Sequence, residues 1–443
     1  MAVTAEGTRE LWRRPAELLQ RLIRFDTTNP PGNEGECIAF IEGLLRDAGL
    51  EAGLYGRDPA RPNLVARLGG RGSAPPLLLY GHVDVVSTAG QTWRHDPFAA
   101  EVHDGYIWGR GAVDMKGGVA MMLAAFLRAK AEGLEPAGDV LFCALADEEG
   151  MSRFGAEWLV REHPELFASV RYAIGEFGGF TMHQSGQRFY PIQVAEKQVC
   201  TLVATIRGPG GHGSMPLRGG ATAKLARMLD RLDRRSLPIH VTPVAREMIR
   251  RMAGALPRAQ GFLLARLARP ALAGAVLARM GDRARMTGAM LRNTATPTII
   301  ETSKKFNVIP SEIRVTLDGR LLPGFQPDDL IREMRSVIGD DLDLEVELHD
   351  PGPAEPDLGM FETLGGILEE ADPGAVALPL LMPGVTDARF FSLLGIQTYG
   401  FTPMKLPPGF NFWSGVHGSD ERVPVDAVAF GADAIHAALE RYR

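Results

Sequence analysis

Four short segments concentrate the residue types that bind metals or move protons. The first is Gly81-His82-Val83-Asp84, which closes the apolar run Leu77-Leu78-Leu79-Tyr80. His82 is a candidate metal ligand, and Asp84, two residues on, can accept the second ring N–H and fix the tautomer. The second, residues 109–118, turns a glycine-rich backbone around one carboxylate, Asp114. The third places Asp147-Glu148-Glu149 after the apolar run 139–145, and the fourth places Glu176 after Ile174-Gly175. Taken singly, these have plain readings: a structural histidine, a helix cap, a solvated charge run. Together the balance reverses. Carboxylates crowded at the ligand edge of an open α/β sheet repel one another unless a cation neutralises them. His with Asp and Glu, and no cysteine, is the ligand set of catalytic zinc or of its neighbours Mn and Co.

A fifth segment, Gly208-Pro209-Gly210-Gly211-His212-Gly213, formally matches the dinucleotide fingerprint. Pro216 and Gly219-Gly220 separate it from the next helix, so no helix N-terminus stands ready for a pyrophosphate.

The elements that must position these residues are legible in outline. Apolar spacing predicts a helix over 34–50, strands at 63–68 and 76–80, a small-residue helix over 117–130, a strand at 139–145, a helix at 156–163 and a strand at 171–174. Strands separated by helices imply a largely parallel sheet. After Glu196 the rhythm changes. Residues 198–206 alternate apolar and polar, as a sheet covered on one face does. A long helical region, strands near 298–301 and 313–317, a helix at 328–338 and a strand at 342–348 follow; the βα pattern resumes near 351 and closes with a helix over 426–441. The reading is an α/β domain formed by 1–195 and 351–443, interrupted by an α+β insertion at 196–350.

Composition narrows the class. The 443 residues are 45% hydrophobic and 23% charged with a formal net charge of −6, which excludes disordered and coiled-coil chains and argues against a nucleic-acid partner. Cys37, Cys143 and Cys200 are odd in number and far apart, which fits a reducing compartment. Glu6, Arg9, Glu10, Arg13, Arg14 and Glu17 interrupt any apolar signal region, so the expected location is cytoplasmic. The most apolar stretch, 262–280, is broken by Arg266, Arg269, Pro270 and Arg279 and does not read as a membrane span.

In order along the chain, the first four segments together with His417-Gly418-Ser419-Asp420-Glu421 resemble the M20 family of metallopeptidases and deacylases. The resemblance covers nearly the whole chain and implies a zinc-peptidase-like α/β fold with an inserted lid domain. It implies two divalent ions, most simply Zn with Co or Mn as alternatives. His82 and Glu176 would hold one, Glu149 and His417 the other, and Asp114 would bridge them. Asp84 would orient His82, and Glu148 would be the general base acting on a hydroxide shared by ions about 3.5–4 Å apart. A cis peptide at Asp114–Met115 is expected on the same ground. In the lid, residues 208–216 resemble the family's Gly-His-Ser-x-x-Pro motif, so His212 would stabilise an oxyanion, often in a partner subunit's site, with a homodimer through the lid. Asn293, Asn307 and Arg320 match lid positions. Asn293 and Arg320 are candidates for a substrate carboxylate, and Gly384 and Thr386 for contacts to substrate.

The lid also carries a longer helical stretch than compact family members. Residues 224–292 hold fifteen Lys or Arg against four acids, a net of +11, which leaves −17 on the rest of the chain. Such helices can meet membrane surfaces or acidic partners, or carry arginines on an ordinary wet face. Family branches acting on long-chain N-acyl amino acids, and yeast-type carboxypeptidase S, have a similar expansion, so an apolar groove for an acyl chain is expected there. The activity implied is hydrolysis of the amide bond of an N-acyl amino acid or small peptide. The alternatives are a dipeptidase or carboxypeptidase, and a non-catalytic binding module. The last would be expected to have lost Glu148 or a ligand, and all are present.

Overall fold

In the computed structural model, residues 10–281, 284–340, 342–353 and 355–443 are described. Glu6 and Arg9 of the N-terminal reading and Asp282 and Arg283 of the basic stretch lie outside them. The central sheet has nine strands: β1 (Ala52–Tyr55), β2 (Asn63–Leu68), β3 (Leu77–His82), β4 (Val140–Leu145), β5 (Tyr172–Gly175), β6 (Met182–Gln184) and β7 (Gln187–Glu196), then, beyond the insertion, two more. The insertion contributes β8 (Gln198–Arg207), β9 (Thr294–Glu301), β10 (Glu312–Leu321) and β11 (Asp343–Asp350), after which β12 (Val376–Met382) and β13 (Gln397–Gly400) rejoin the central sheet.

Across that sheet the order is β6-β7-β13-β5-β3-β4-β2-β1, with β12 on the remaining flank of β7. The middle is parallel, β13 on β5 on β3 on β4. Both flanks carry antiparallel pairs, β4 with β2 and β2 with β1 on one side, β6 with β7 on the other. Every residue of β3, β4 and β5 is buried, as continuous apolar runs covered on both faces require. The small-residue helix, Lys116–Ala131, is buried almost all round. Gly117 lets it start close to the preceding loop, since a Cβ there would lie 2.2 Å from the Ala112 carbonyl oxygen. The strand at β7 is absent from the sequence reading because Pro191 stands in its middle, a residue that normally argues against a paired strand.

The lid is a four-stranded antiparallel sheet, β9-β10-β8-β11, with helices Ala221–Arg234 and Pro327–Ile338 on one face. Its core is Leu202, Ala204, Ile206, Val315, Leu317 and the helix residues Leu330 and Met334. The extended helices differ from expectation. Pro243–Ala255, Pro270–Met280 and Ala284–Met290 close over β7 and β12 of the central sheet, around Phe189, Leu378, Leu380, Ile249, Leu267 and Leu277. The cause is that β12 is apolar on both faces, and these helices cover one of them. They therefore pack as a roof on the central sheet. No helix among the described residues is long and apolar enough to cross a membrane.

Candidate functional site

Three adjacent parallel strands end side by side and deliver three of the candidate ligands. His82 is the last residue of β3, Glu148 and Glu149 open a short 3-10 turn just past β4, and Glu176 follows β5. The strand order β5-β3-β4 places His82 between the two carboxylate-bearing ends. The glycine loop before helix Lys116–Ala131 brings Asp114, and the loop after the short helix Phe412–Gly415 brings His417 with a left-handed backbone (φ 56°).

The donor atoms converge. His82 Nε2 lies 3.4 Å from Asp114 Oδ1 and 3.5 Å from Glu176 Oε2. His417 Nε2 lies 3.2 Å from Asp114 Oδ2 and 3.1 Å from Glu149 Oε1. Asp114 thus faces both histidines with different oxygens and is shared by two three-membered sets, His82-Asp114-Glu176 and Asp114-Glu149-His417, while His82, Glu148 and Glu149 form a third. The Asp114–Met115 peptide is cis.

Buried polar contacts hold this arrangement. His82 Nδ1 lies 3.0 Å from the Asp84 backbone carbonyl, closer than the 3.4 Å to the Asp84 carboxylate that the sequence reading favoured. The carboxylate serves the next turn instead, accepting the backbone N–H groups of Glu148 and Glu149, each at 3.1 Å, and the Asn29 amide at 2.8 Å. Asn29 also donates to Asp147 at 2.9 Å, and Arg61 ties Asp147 to Glu34. Glu421, fully buried, accepts the backbone N–H groups of Gly111, Val113 and Asp114 and pairs with Arg110 at 2.8 Å. Sequence reasoning missed Asn29, Arg61 and Asp147 as supports. Glu421 stood inside a recognised motif without an assigned role.

With His82 Nδ1 engaged by a carbonyl, Nε2 is left as a buried nitrogen with no hydrogen-bond partner, facing carboxylates. Burial works against a charged imidazole, but the carboxylates of Asp114, Asp84 and Glu176 outweigh it and raise the His82 pKa well above its ordinary value. Asp114 and Glu149, accepting hydrogen bonds from its ring, push the His417 pKa up to about 10. Burial, then the Glu176 charge, raises Glu148 well above the carboxylate range; burial also raises Glu149 and Glu176. Buried carboxylates of this density, with an orphaned imidazole nitrogen among them, fit divalent cations as donors in number and kind.

A cleft of about 190 Å³ opens onto these groups. Asp114, Glu148, Glu149, Glu176 and His417 line its polar floor, while Phe177, Trp413, Met382, Val385 and Val416 are among its apolar walls. Phe177 sits 4.8 Å from Trp413 ring to ring, and Phe412 stacks on Phe180 at 3.8 Å.

The lid candidates stand elsewhere. His212 is exposed on a short strand pair, its Nδ1 2.7 Å from Ser214 Oγ, and does not line the cleft. Asn293 is fully buried and both ends of its amide are used, Oδ1 accepting Leu322 N–H at 2.8 Å and Nδ2 donating to Glu333 at 3.1 Å. It braces the lid and does not line the cleft. Arg320 is paired with Asp318 at 2.7 Å, on the strand residue facing Thr294. Beside it the buried Lys197 donates to Thr294 Oγ1, and burial, then the Arg320 charge, lowers the Lys197 pKa to about 7. Thr386 does line the cleft, but its hydroxyl and N–H are held by Glu196 at 2.9 and 3.0 Å; Gly384 lies two residues before it.

Residues 78–441 match the model of peptidase family M20/M25/M40. The chain is 27% identical over 372 residues to human N-fatty-acyl-amino acid synthase/hydrolase PM20D1, covering 80% of this chain and 72% of that protein. It is 28% identical over 380 residues to a probable carboxypeptidase S-like 2 of Dictyostelium discoideum, covering 80% and 69%. Among solved structures, the M20 family metallo-carboxypeptidase Sso-CP2 from Sulfolobus solfataricus shares the fold with a TM-score of 0.66 at 16% identity, over 97% of this chain and 99% of that one. With the family matched over most of its length and the fold shared end to end, the chain belongs to the M20/M25/M40 peptidase family and is a hydrolase of amide bonds.

Proposed function

We propose that the chain hydrolyses the amide bond of N-acyl amino acids whose acyl group is apolar. The observation that carries this reading is the lining of the cleft, in which aromatic and aliphatic side chains, Phe177, Trp413, Met382, Val385 and Val416, stand beside the candidate ligands and Glu148. An acyl chain needs apolar walls, whereas a free α-amine needs an acidic partner beyond the floor groups. The name of the human relative, a fatty-acyl amino acid synthase/hydrolase, points the same way.

In this reading His82 and Glu176 hold one divalent ion, Glu149 and His417 the other, and Asp114 both. Bound ions would act as Lewis acids toward the amide carbonyl and make water more acidic; zinc is the favoured pair for this donor set, with cobalt or manganese as substitutes. Glu148 takes the proton of the attacking water and returns it to the leaving nitrogen. Its buried position raises its proton affinity, as such a relay requires. Asp84 holds Glu148 and Glu149 in register through their N–H groups. Phe177 and Trp413 receive the acyl group, and the 382–386 segment flanks the substrate.

The exposed Ile299, Ile300 and Phe306 around edge strand β9 favour a second copy of the chain on the lid, the assembly in which His212 serves as an oxyanion donor. Light scattering on the purified chain measures this. Three cysteines buried apart as thiols support a cytoplasmic site of action.

The test is a hydrolysis screen on zinc- or cobalt-loaded protein with N-acetyl, N-dodecanoyl and unblocked dipeptide substrates, with Glu148→Ala as control. Release from N-dodecanoyl substrate in preference to N-acetyl, lost in the variant, is the expected result. Equal turnover of the two removes the acyl-wall argument. Cleavage of unblocked dipeptides alone moves the assignment to a dipeptidase or carboxypeptidase, and silence across the panel moves it to a binding module.

A further inference from the structure

Apart from Arg279 in its last turn, the helix Pro270–Met280 is apolar, yet only one side is covered. Ala273, Val276 and Leu277 are buried against the cluster above β7 and β12. Ala271, Leu272, Gly274, Ala275 and Ala278 face solvent. A surface helix that met only water would carry polar residues at those outward positions. The preceding helix, Arg258–Leu264, repeats the anomaly with Phe262 66% and Leu263 41% exposed, and Leu272 is 39% exposed.

Charge on the same segment is of one sign. From Met248 to Gly281 the sequence contains arginines and no acidic residue, although the chain outside 224–292 carries a net −17. Arg258, Arg266, Arg269 and Arg279 are all exposed, so they stand among the outward apolar residues. The Arg266 guanidinium lies 4.5 Å over the ring of Phe262, placing a cation on the most exposed aromatic of the segment.

We infer that the outward face of residues 258–279 docks on an anionic lipid surface. The occupant follows from the chemistry of the face. The exposed apolar residues Phe262, Leu263 and Leu272 stand among alanines and a glycine, with exposed arginines between them. A bilayer accepts such residues without a matching pocket, while interspersed arginines meet lipid phosphates. Phe262 and Leu263 enter the headgroup boundary, and the arginines supply long-range attraction to the anionic headgroups. The segment lies on the surface and does not span, since no described helix meets the length and apolarity for crossing. This inference is independent of the substrate assigned above, because it concerns a surface that does not line the cleft.

The experiment is co-sedimentation of the full chain with vesicles of phosphatidylcholine alone and with added phosphatidylglycerol, at low and high salt. Two double variants are compared, Phe262→Ser with Leu263→Ser and Arg266→Glu with Arg269→Glu. Circular dichroism melts serve as the fold control, and these exposed sites are expected to leave the melts unchanged. The wild-type chain is expected to bind the anionic vesicles at low salt, to release as salt rises, and to lose about tenfold or more of its partitioning in each variant pair. Absence of binding to anionic vesicles, or variants that bind as the wild type does, overturns the inference. A concentration-dependent dimer that the variants abolish, with no vesicle binding, would assign the face to a second copy of the chain and overturn it as well.

Discussion

The side-chain carboxylate of Glu421 accepts the backbone N–H of Asp114 at 3.0 Å, joining the C-terminal loop to the glycine loop across 307 residues of sequence. The same carboxylate takes the N–H groups of Val113 at 2.7 Å and Gly111 at 3.0 Å, so one buried acid shapes the backbone that presents Asp114 to both histidines. Glu421→Gln keeps the size but removes the charge opposite Arg110 and part of the acceptor capacity. Metal affinity is expected to fall about 10–100-fold, as when a group behind a ligand is lost. Equilibrium dialysis with zinc measures it; wild-type affinity in the variant would show that the loop holds its own shape.

Glu148 is expected to separate binding from chemistry. Glu148→Gln leaves intact the two three-membered sets that share Asp114, so metal content is expected to stay at the wild-type level while kcat falls by about 10²–10⁴. Metal analysis beside single-turnover kinetics reads both, and a fall in metal content equal to the fall in rate would make Glu148 a ligand.

Removing metal is expected to lower stability as well as activity. Asp114 and Glu176 crowd the buried His82 imidazole and Asp114 and Glu149 crowd His417, and an ion that binds the folded form alone stabilises it by about 2.7 kcal/mol at a hundred times its Kd. Melting curves with and without a chelator should differ and be restored by zinc, cobalt or manganese. Superimposable curves would contradict the assigned ligand set.

Trp413 is 41% exposed and forms the wall facing Phe177. Trp413→Ala removes apolar contact from the acyl side only. kcat/KM for an N-dodecanoyl substrate is expected to fall about tenfold or more while that for N-acetyl changes little, because lost apolar contact is worth roughly 1–3 kcal/mol. A uniform loss for both would place Trp413 in the fold rather than in specificity.

Asp372 anchors the far flank of the sheet. It accepts from Arg188 at 2.8 Å and Tyr190 at 3.1 Å on β7, and pairs with Lys405 at 2.8 Å. Burial opposes its charge, but Lys405, Arg188 and Tyr190 outweigh that and hold its pKa below the ordinary value. A lowered folded-state pKa means stability that is full above the unfolded value, about 4, and lost as pH falls through the folded value. Asp372→Asn is expected to cost about 2 kcal/mol near neutral pH, with the gap to wild type narrowing below about pH 4. Urea unfolding at several pH values tests this, and a gap constant with pH would remove the charge from the explanation.

How far the sequence reached depended on whether a property was local. Continuous apolar runs at 77–80 and 140–145, each followed at once by His82 or by Glu148-Glu149, declare both a buried strand and the groups at its end, because strand burial and strand-end position follow from adjacent residues. Asp114 in its glycine loop and Glu176 after Ile174-Gly175 were legible in the same way, and the resemblance carried by those motifs added His417. Pro191 hid β7, since the pairing that tolerates it comes from β12, almost two hundred residues later. Asn293 shows the limit of a matched position: the same residue type, once Leu322 and Glu333 fold against it, becomes a brace. Asn29, Arg61 and Glu421 carry no local signal for their roles, because each acts on a partner more than twenty-five residues away. The extended helices were legible as helices, but their partner was set by the apolar face of β7 and β12. Local sequence therefore determined which elements and which donor atoms exist. Only the tertiary structure decided which of them meet, since burial and long-range hydrogen bonding are properties of the packed chain rather than of any segment.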